Sequence, residues 1–234
     1  MKLAVMQPYI FPYIGYFQLI NAVDTFVFYD DVNFIKQGWV NRNRILVNGN
    51  DFMFTVPLQK VSPNKLILES YIHKQTYIDW KDDLLATIVL NYKKAPEFEH
   101  VYEMLNTFLN LDFKSISEMA MESIKMVSAF IGIQQKFLVS SETYKNKGLE
   151  KQERLIAICK QEKANHYINM AGGKDLYNKE IFSKEGIKLD FIQSLPIEYK
   201  QFNNEFIPWL SIIDVLMFNK RACIKEMLDR YELA

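Results

Sequence analysis

Two uninterrupted apolar runs, Leu3-Ala4-Val5-Met6 and Thr25-Phe26-Val27-Phe28-Tyr29, flank the helical pattern Gln18 to Asp24, and no other feature constrains the fold as strongly. A strand with one wetted face alternates, whereas a parallel strand covered on both faces is apolar at successive positions. The spacing therefore predicts a strand, a helix and a second, parallel strand. Between the first run and the helix lies Met6-Gln7-Pro8-Tyr9-Ile10-Phe11-Pro12-Tyr13-Ile14-Gly15-Tyr16-Phe17. Pro8 and Pro12 lack an N–H and restrict φ, so they bar strand and helix alike until Gly15 has passed. The segment is thus a loop at the carboxyl end of the first strand. At that edge open parallel sheets bind ligands, because loops and helix N-termini meet there. The plainer reading is a proline-rich turn padded with tyrosines.

The second run ends in Asp30-Asp31, and the chain then becomes polar, aromatic and locally basic through Val32 to Arg44. Two β-rich runs around Asn48-Gly49 predict a hairpin insert over about 41–58, because Asn-Gly tolerates the positive φ values of a primed turn. From Asp79, a plausible N-cap, the residues Trp80, Leu84, Ile88 and Tyr92 fall on one helical face. Pro96 ends that pattern. Helices are expected from Glu97 to Asn110 and from Ser115 to Ile131, the latter capped by Ser115 and stopped by Gly132. An all-helical subdomain over about 79–132 follows. Strands are then expected at Lys136–Ser140, His166–Met170 and Ile187–Phe191, with helices from Gly148 to Lys163 and from the Ala171-Gly172-Gly173-Lys174-Asp175 turn to Lys184. Ser211-Ile212-Ile213-Asp214 has capping-box spacing ahead of an apolar helix, and a last helix runs from Arg221 to Tyr231. The whole chain, 1–234, reads as a single α/β domain.

Composition narrows the function. Formal charge is zero, so there is no bulk attraction to nucleic acid or anionic lipid, and no DNA partner is expected. Cys159 and Cys223 both fall in helical patterns, which suits a reducing cytoplasm rather than a disulfide framework. Met1 leads straight into a strand without a basic region and cleavage site, and no apolar run approaches bilayer length. A cytoplasmic protein without a transmembrane segment is expected. Thirteen tyrosines and seventeen phenylalanines suit large cores and sites that stack planar or sugar rings. Nothing in the pattern predicts an oligomeric state.

The predicted strand ends bring four loops together. The first carries Gln7, Tyr9, Tyr13 and Tyr16; the second carries Asp30, Asp31, Lys36, Asn41, Arg42 and Arg44. In a strand, Asn41-Arg42-Asn43-Arg44 would place both guanidinium forks on one face, which suits phosphate or carboxylate, although a charged edge strand has the same pattern. Asp31, with Asp30 as its replacement, could serve as a general base; turn chemistry is the commoner use of such a pair. Gly172 and Gly173, with Asp175, could let backbone N–H groups approach a phosphate, as could happen in any glycine turn. His73 is a further candidate base, although a surface histidine is its plainer reading. No His, Cys and carboxylate cluster has ligand spacing, so no metal is predicted. P-loop, GxGxxG and nucleophile-elbow motifs are absent.

Gln7-Pro8-Tyr9, Phe11-Pro12, Gly15-Tyr16-Phe17, Asp24, Asp30-Asp31-Val32, Trp39, Asn41-Arg42-Asn43-Arg44 and Ser211-Ile212-Ile213-Asp214 together make the chain resemble the WbqC-like family over nearly its whole length. That resemblance implies surface-polysaccharide and O-antigen biosynthesis, with transfer of a glycyl or other acyl group to an amino- or hydroxy-sugar linked to a nucleotide or lipid. The opening strand, loop and helix are also similar to those of HIGH-motif nucleotidylyltransferases, which implies a Rossmann-like (HUP-like) parallel sheet. Tyr13-Ile14-Gly15-Tyr16 stands where those enzymes carry two histidines, and a phenol brings no positive charge to a phosphate. Three functions are therefore expected in order: an acyl or aminoacyl transferase, an ATP-dependent nucleotidylyltransferase, and a non-catalytic sugar-nucleotide-binding protein. A free amino acid donor would require ATP; a thioester or aminoacyl-tRNA would not. Lys36, Arg42 and Arg44 would hold phosphate or carboxylate, and Tyr9, Tyr13 and Tyr16 would pack against the ring.

Overall fold

The computed structural model describes residues 1–60, 62–149, 151–203 and 205–234. The chain opens with β1 (Lys2–Met6), α1 (Ile14–Ala22) and β2 (Thr25–Phe28), followed by the hairpin β3 (Arg42–Val47) and β4 (Asn50–Thr55). Helices α2 (Lys74–Tyr92), α3 (Phe98–Leu109) and α4 (Ile116–Ile131) come next. The alternation then resumes with β5 (Lys136–Val139), α5 (Ser140–Thr143), α6 (Lys151–Gln161), β6 (His166–Met170), α7 (Lys179–Lys184) and β7 (Lys188–Ser194). The chain closes with α8 (Ile212–Phe218), α9 (Arg221–Leu228) and β8 (Tyr231–Leu233).

The main sheet has the order β5-β2-β1-β6-β7-β8. The first five strands are parallel, and only β8 is antiparallel, pairing Ser194 with Tyr231 and Ile192 with Leu233. This is a Rossmann-like α/β fold, with a change of crossover direction between β1 and β6. Side-chain alternation splits the core into two layers. Ala4, Phe26, Phe28 and Ile168 face α1 and the large cluster that continues into α3, α4 and α8. Leu3, Val5, Val27, Tyr167 and Phe191 face Leu155, Ile158, Cys159 and Phe182 of α6 and α7 on the other side.

Local chemistry sets several boundaries. The turn between β3 and β4 has Asn48 at φ 50° and Gly49 at φ 77°, the left-handed pair a two-residue primed hairpin needs. Ser115 accepts from the Glu118 N–H, and Gly132 ends α4 at φ 93°. Helix α2 starts at Lys74 rather than Asp79, because the His73 ring accepts from the Thr76 N–H at 3.4 Å and serves as the cap. Helix α1 starts at Ile14, so Gly15 lies within its first turn. A Cβ there would stand 2.3 Å from Tyr13 Cε2 and 2.6 Å from Ser194 Oγ. The expected helix from Gly148 to Lys163 crosses Glu150, which lies outside the described residues; from Lys151 it runs to Gln161. The last helix stops at Leu228 and the chain turns back as β8, a strand too short to carry a periodic signal.

Candidate functional site

The five parallel strands end at one edge, and a cavity of about 1250 Å³ opens there over β1, β6 and β7. Its position is the crevice that a change of crossover direction creates. The first loop contributes Gln7, Tyr9, Tyr13 and Tyr16, and Tyr29 enters from the end of β2. Asn169 comes from the end of β6, Gly172, Gly173 and Tyr177 follow that strand, and Gln193 and Ser194 end β7. A strap after β7 adds Glu198, Tyr199, Glu205, Phe206 and Trp209. The Tyr16 hydroxyl donates to the Gln7 carbonyl at 2.8 Å, and Tyr13 meets Trp209 edge-on at 5.7 Å. Burial raises the Tyr9 and Tyr16 hydroxyls above the ordinary phenol value. Burial and the neighbouring Tyr9 push Tyr13 to about 12. These phenols therefore remain protonated donors at neutral pH.

Buried polar side chains hold the proline-rich loop in shape. Phe11 has φ 41°, an uncommon conformation for an aromatic residue. The Phe11 carbonyl accepts from Asn43 Nδ2 at 2.6 Å and from Ser211 Oγ at 2.7 Å, and its N–H donates to Ser123 Oγ at 3.2 Å. The Ile212 N–H also reaches the Pro12 carbonyl. Two residues past Ile212, Asp214 is buried with no cation paired to it among the described residues. It accepts from Tyr92 at 2.8 Å, Tyr199 at 2.6 Å and Gln201 at 2.8 Å. Burial raises its carboxyl above the usual range, and these three hydrogen bonds oppose the rise. Asp214 thereby ties the strap to α2 and α8.

A model of the WbqC-like protein family matches residues 7–226. The chain belongs to the WbqC-like family. Rv1507c of Mycobacterium tuberculosis (strain ATCC 25618 / H37Rv), described as uncharacterized, is 29% identical over 224 residues and is covered, like this chain, over 94% of its length. No solved structure matches significantly. In this WbqC-like chain, the Pro8–Pro12 loop, Asn43 and Ser211, which lie far apart in sequence, form one hydrogen-bonded unit under the cavity.

The other expected residues occupy different places. Asp30 and Asp31 lie outside the cavity lining. Asp30 accepts from the Ser141 N–H at 2.9 Å and the Ser141 hydroxyl at 2.5 Å, which pins the start of α5. Burial raises its carboxyl and these two bonds oppose the rise. Asp31 forms a 2.6 Å ion pair with Arg154, their side chains 0% and 4% exposed. The Arg154 guanidinium stacks 4.6 Å from the Tyr29 ring, on which it lies from outside the cavity. Alternation does put Arg42 and Arg44 on one face. Both stack on Trp39, and Arg44 is paired with Asp51 at 3.1 Å. Arg42 donates to the Gly38 and Gln37 carbonyls, while Arg44 reaches the Trp209 carbonyl at 3.3 Å. Neither guanidinium lines the cavity. Asn41 is buried and donates to the Val56 carbonyl, Lys36 is exposed, and His73 caps α2.

Gly172 has open space where a Cβ would stand, whereas a Cβ at Gly173 would stand 3.2 Å from Asn169 Nδ2, and Asp175 is exposed. Among the described residues no group of three or more His, Cys, Asp or Glu could hold a metal ion, and no helix is long and apolar enough to cross a membrane. Asn169, Glu198, Tyr199, Glu205, Trp209 and Asp214 were not singled out by sequence as site residues. Of these, Trp209 stands in an aromatic extended stretch beside Pro208, and Asp214 has capping-box spacing after Ser211. The strap has no hydrophobic period to reveal that it folds over the sheet edge.

Proposed function

We propose that this protein is a transferase of bacterial surface-glycan biosynthesis that attaches an acyl or aminoacyl group, glycyl among them, to an amino- or hydroxy-sugar. The observation that carries the reading is the aromatic-walled cavity at the carboxyl edge of the sheet, large enough for a sugar ring and an acyl group. Aromatic faces suit sugar C–H surfaces, while Gln7, Asn169 and Gln193 supply hydrogen bonds to hydroxyls. The acceptor nitrogen or oxygen attacks the carbonyl carbon of an activated donor. A C–N or C–O bond forms, the bond to the donor's thiol or tRNA hydroxyl breaks, and the acceptor proton passes through a carboxylate to the departing sulfur or oxygen. Glu198 and Glu205 line the cavity and are better placed for that proton than the ion-paired Asp31. Family membership supports the glycan assignment through the association drawn above.

A second reading, a sugar-binding protein without turnover, is favoured by the commitment of Asp30 and Asp31 to internal bonds. Nucleotidyl transfer is disfavoured, since Tyr16 spends its hydroxyl on the Gln7 carbonyl and no cation lines the cavity among the described residues. A thermal-shift screen against ATP, thioester and aminoacyl donors and nucleotide-linked amino-sugars separates the three. A true ligand at a hundredfold excess over its Kd raises stability by about 2.7 kcal/mol. Stabilisation by a nucleotide sugar with acyl transfer on adding donor supports the transferase, stabilisation without transfer supports the binding protein, and stabilisation by ATP alone overturns both.

A further inference from the structure

The cavity has an unbalanced chemistry. Its charged lining residues are Glu198 and Glu205, and among the described residues no Lys, Arg or His lines it. Neither glutamate forms an ion pair with a described residue. Two guanidinium groups touch the lining from outside, and each already faces a carboxylate. Arg154 lies on Tyr29 and is held by Asp31; Arg44 donates to the Trp209 carbonyl and is held by Asp51. The remaining walls include the rings of Tyr9, Tyr13, Tyr177 and Trp209, whose π faces are negative. Glu198 and Glu205 are exposed lining residues, so a phosphate or carboxylate brought here would meet two like charges and, among the described residues, no lining counter-charge. A protonated amine would meet two carboxylates and several aromatic faces.

We propose that this cavity selects a ring ligand carrying a protonated amine and excludes the phosphate-bearing part of any carrier, which must lie outside the rim. Glu198 and Glu205 are the counter-charges. The inference deepens the glycan reading and rests on it only for the identity of the ring.

The test is a calorimetric titration of the full chain, at a pH below the amine pKa, with glucosamine, N-acetylglucosamine, glucosamine 6-phosphate, cyclohexylamine and cyclohexanol. Glucosamine is expected to bind at least about tenfold tighter than N-acetylglucosamine, and cyclohexylamine tighter than cyclohexanol by a similar factor. Glucosamine 6-phosphate is expected to bind more weakly than glucosamine. In the Glu198→Gln/Glu205→Gln double variant the amine preference disappears while N-acetylglucosamine binding is retained. Sugars bound without an amine preference, or a preference that survives the double variant, overturn the inference and leave the glycan reading standing. Cyclohexylamine bound selectively while every sugar is silent keeps the inference and overturns the glycan reading. Silence across all five probes overturns both.

Discussion

Asp31 and Asp214 are both buried carboxylates, and the molecule accommodates them in opposite ways. Asp31 faces a full countercharge, Arg154, which is itself held by Asn146 at 3.0 Å and Ser140 at 3.1 Å. Among the described residues, Asp214 is met by neutral donors, two phenols and an amide. The ion pair joins the end of β2 to α6 and forms a rigid backing behind Tyr29. The neutral cage joins a strap to two helices and leaves its carboxyl titratable. The first arrangement ties strand end to helix, and the second ties the cavity-lining strap to the helices.

Removing one partner of the ion pair should have the largest effect. Arg154→Ala removes the close, buried partner of Asp31 and leaves it only Lys147, 4.0 Å away and half-exposed, so the protein should be destabilised by about 3 kcal/mol in urea unfolding. Adding Asp31→Asn to that variant should recover part of the loss, because the buried carboxylate that has lost its close partner is gone. On the other side, Asp214→Asn replaces one acceptor oxygen by a donor that faces phenol or amide donors, and should cost about 1–3 kcal/mol at neutral pH.

The same variant sharpens the contrast through pH. A carboxyl raised on folding binds its proton more tightly in the folded state, so the folded chain holds more protons between the usual value of 3.8 and the raised one. Wild-type stability relative to Asp214→Asn should therefore increase as pH falls through the window just above 3.8, and level off below it. Parallel unfolding curves at stepped pH read that difference directly, and a flat difference would show that Asp214 is not raised. The smallest effect belongs to a pair that belongs to neither class. Asp51→Ala removes a partly exposed bridge to Arg44 and should change stability by no more than about 1 kcal/mol.

The sheet was legible because parallel strands buried on both faces write uninterrupted apolar runs, as in Leu3–Met6 and Thr25–Phe28. The hairpin and α4 were legible because Asn48-Gly49, Ser115 and Gly132 act locally. The first loop lines the cavity because it follows β1 at the carboxyl edge of the sheet. Asp31, Arg42 and Arg44 could not be placed by sequence, because whether a charge faces a ligand or an internal partner depends on residues far away, Arg154, Trp39 and Asp51 among them. Glu198 and Glu205 escaped notice for the related reason that an irregular strap has no period. Asn43 and Ser211 likewise disclosed their shared target, the Phe11 carbonyl, only in three dimensions.

The central claim is that ligand enters the cavity over β1, β6 and β7 and not the Arg42–Arg44 face. Gly172 lines that cavity and has nothing within 4 Å of an added Cβ, so a large side chain there has room on the backbone and obstructs the site. The most direct measurement is a calorimetric titration of glucosamine into the wild-type, Gly172→Trp and Arg42→Ala proteins. Loss of binding in Gly172→Trp with wild-type affinity in Arg42→Ala is the predicted result. Retained binding in Gly172→Trp together with loss in Arg42→Ala would contradict the account.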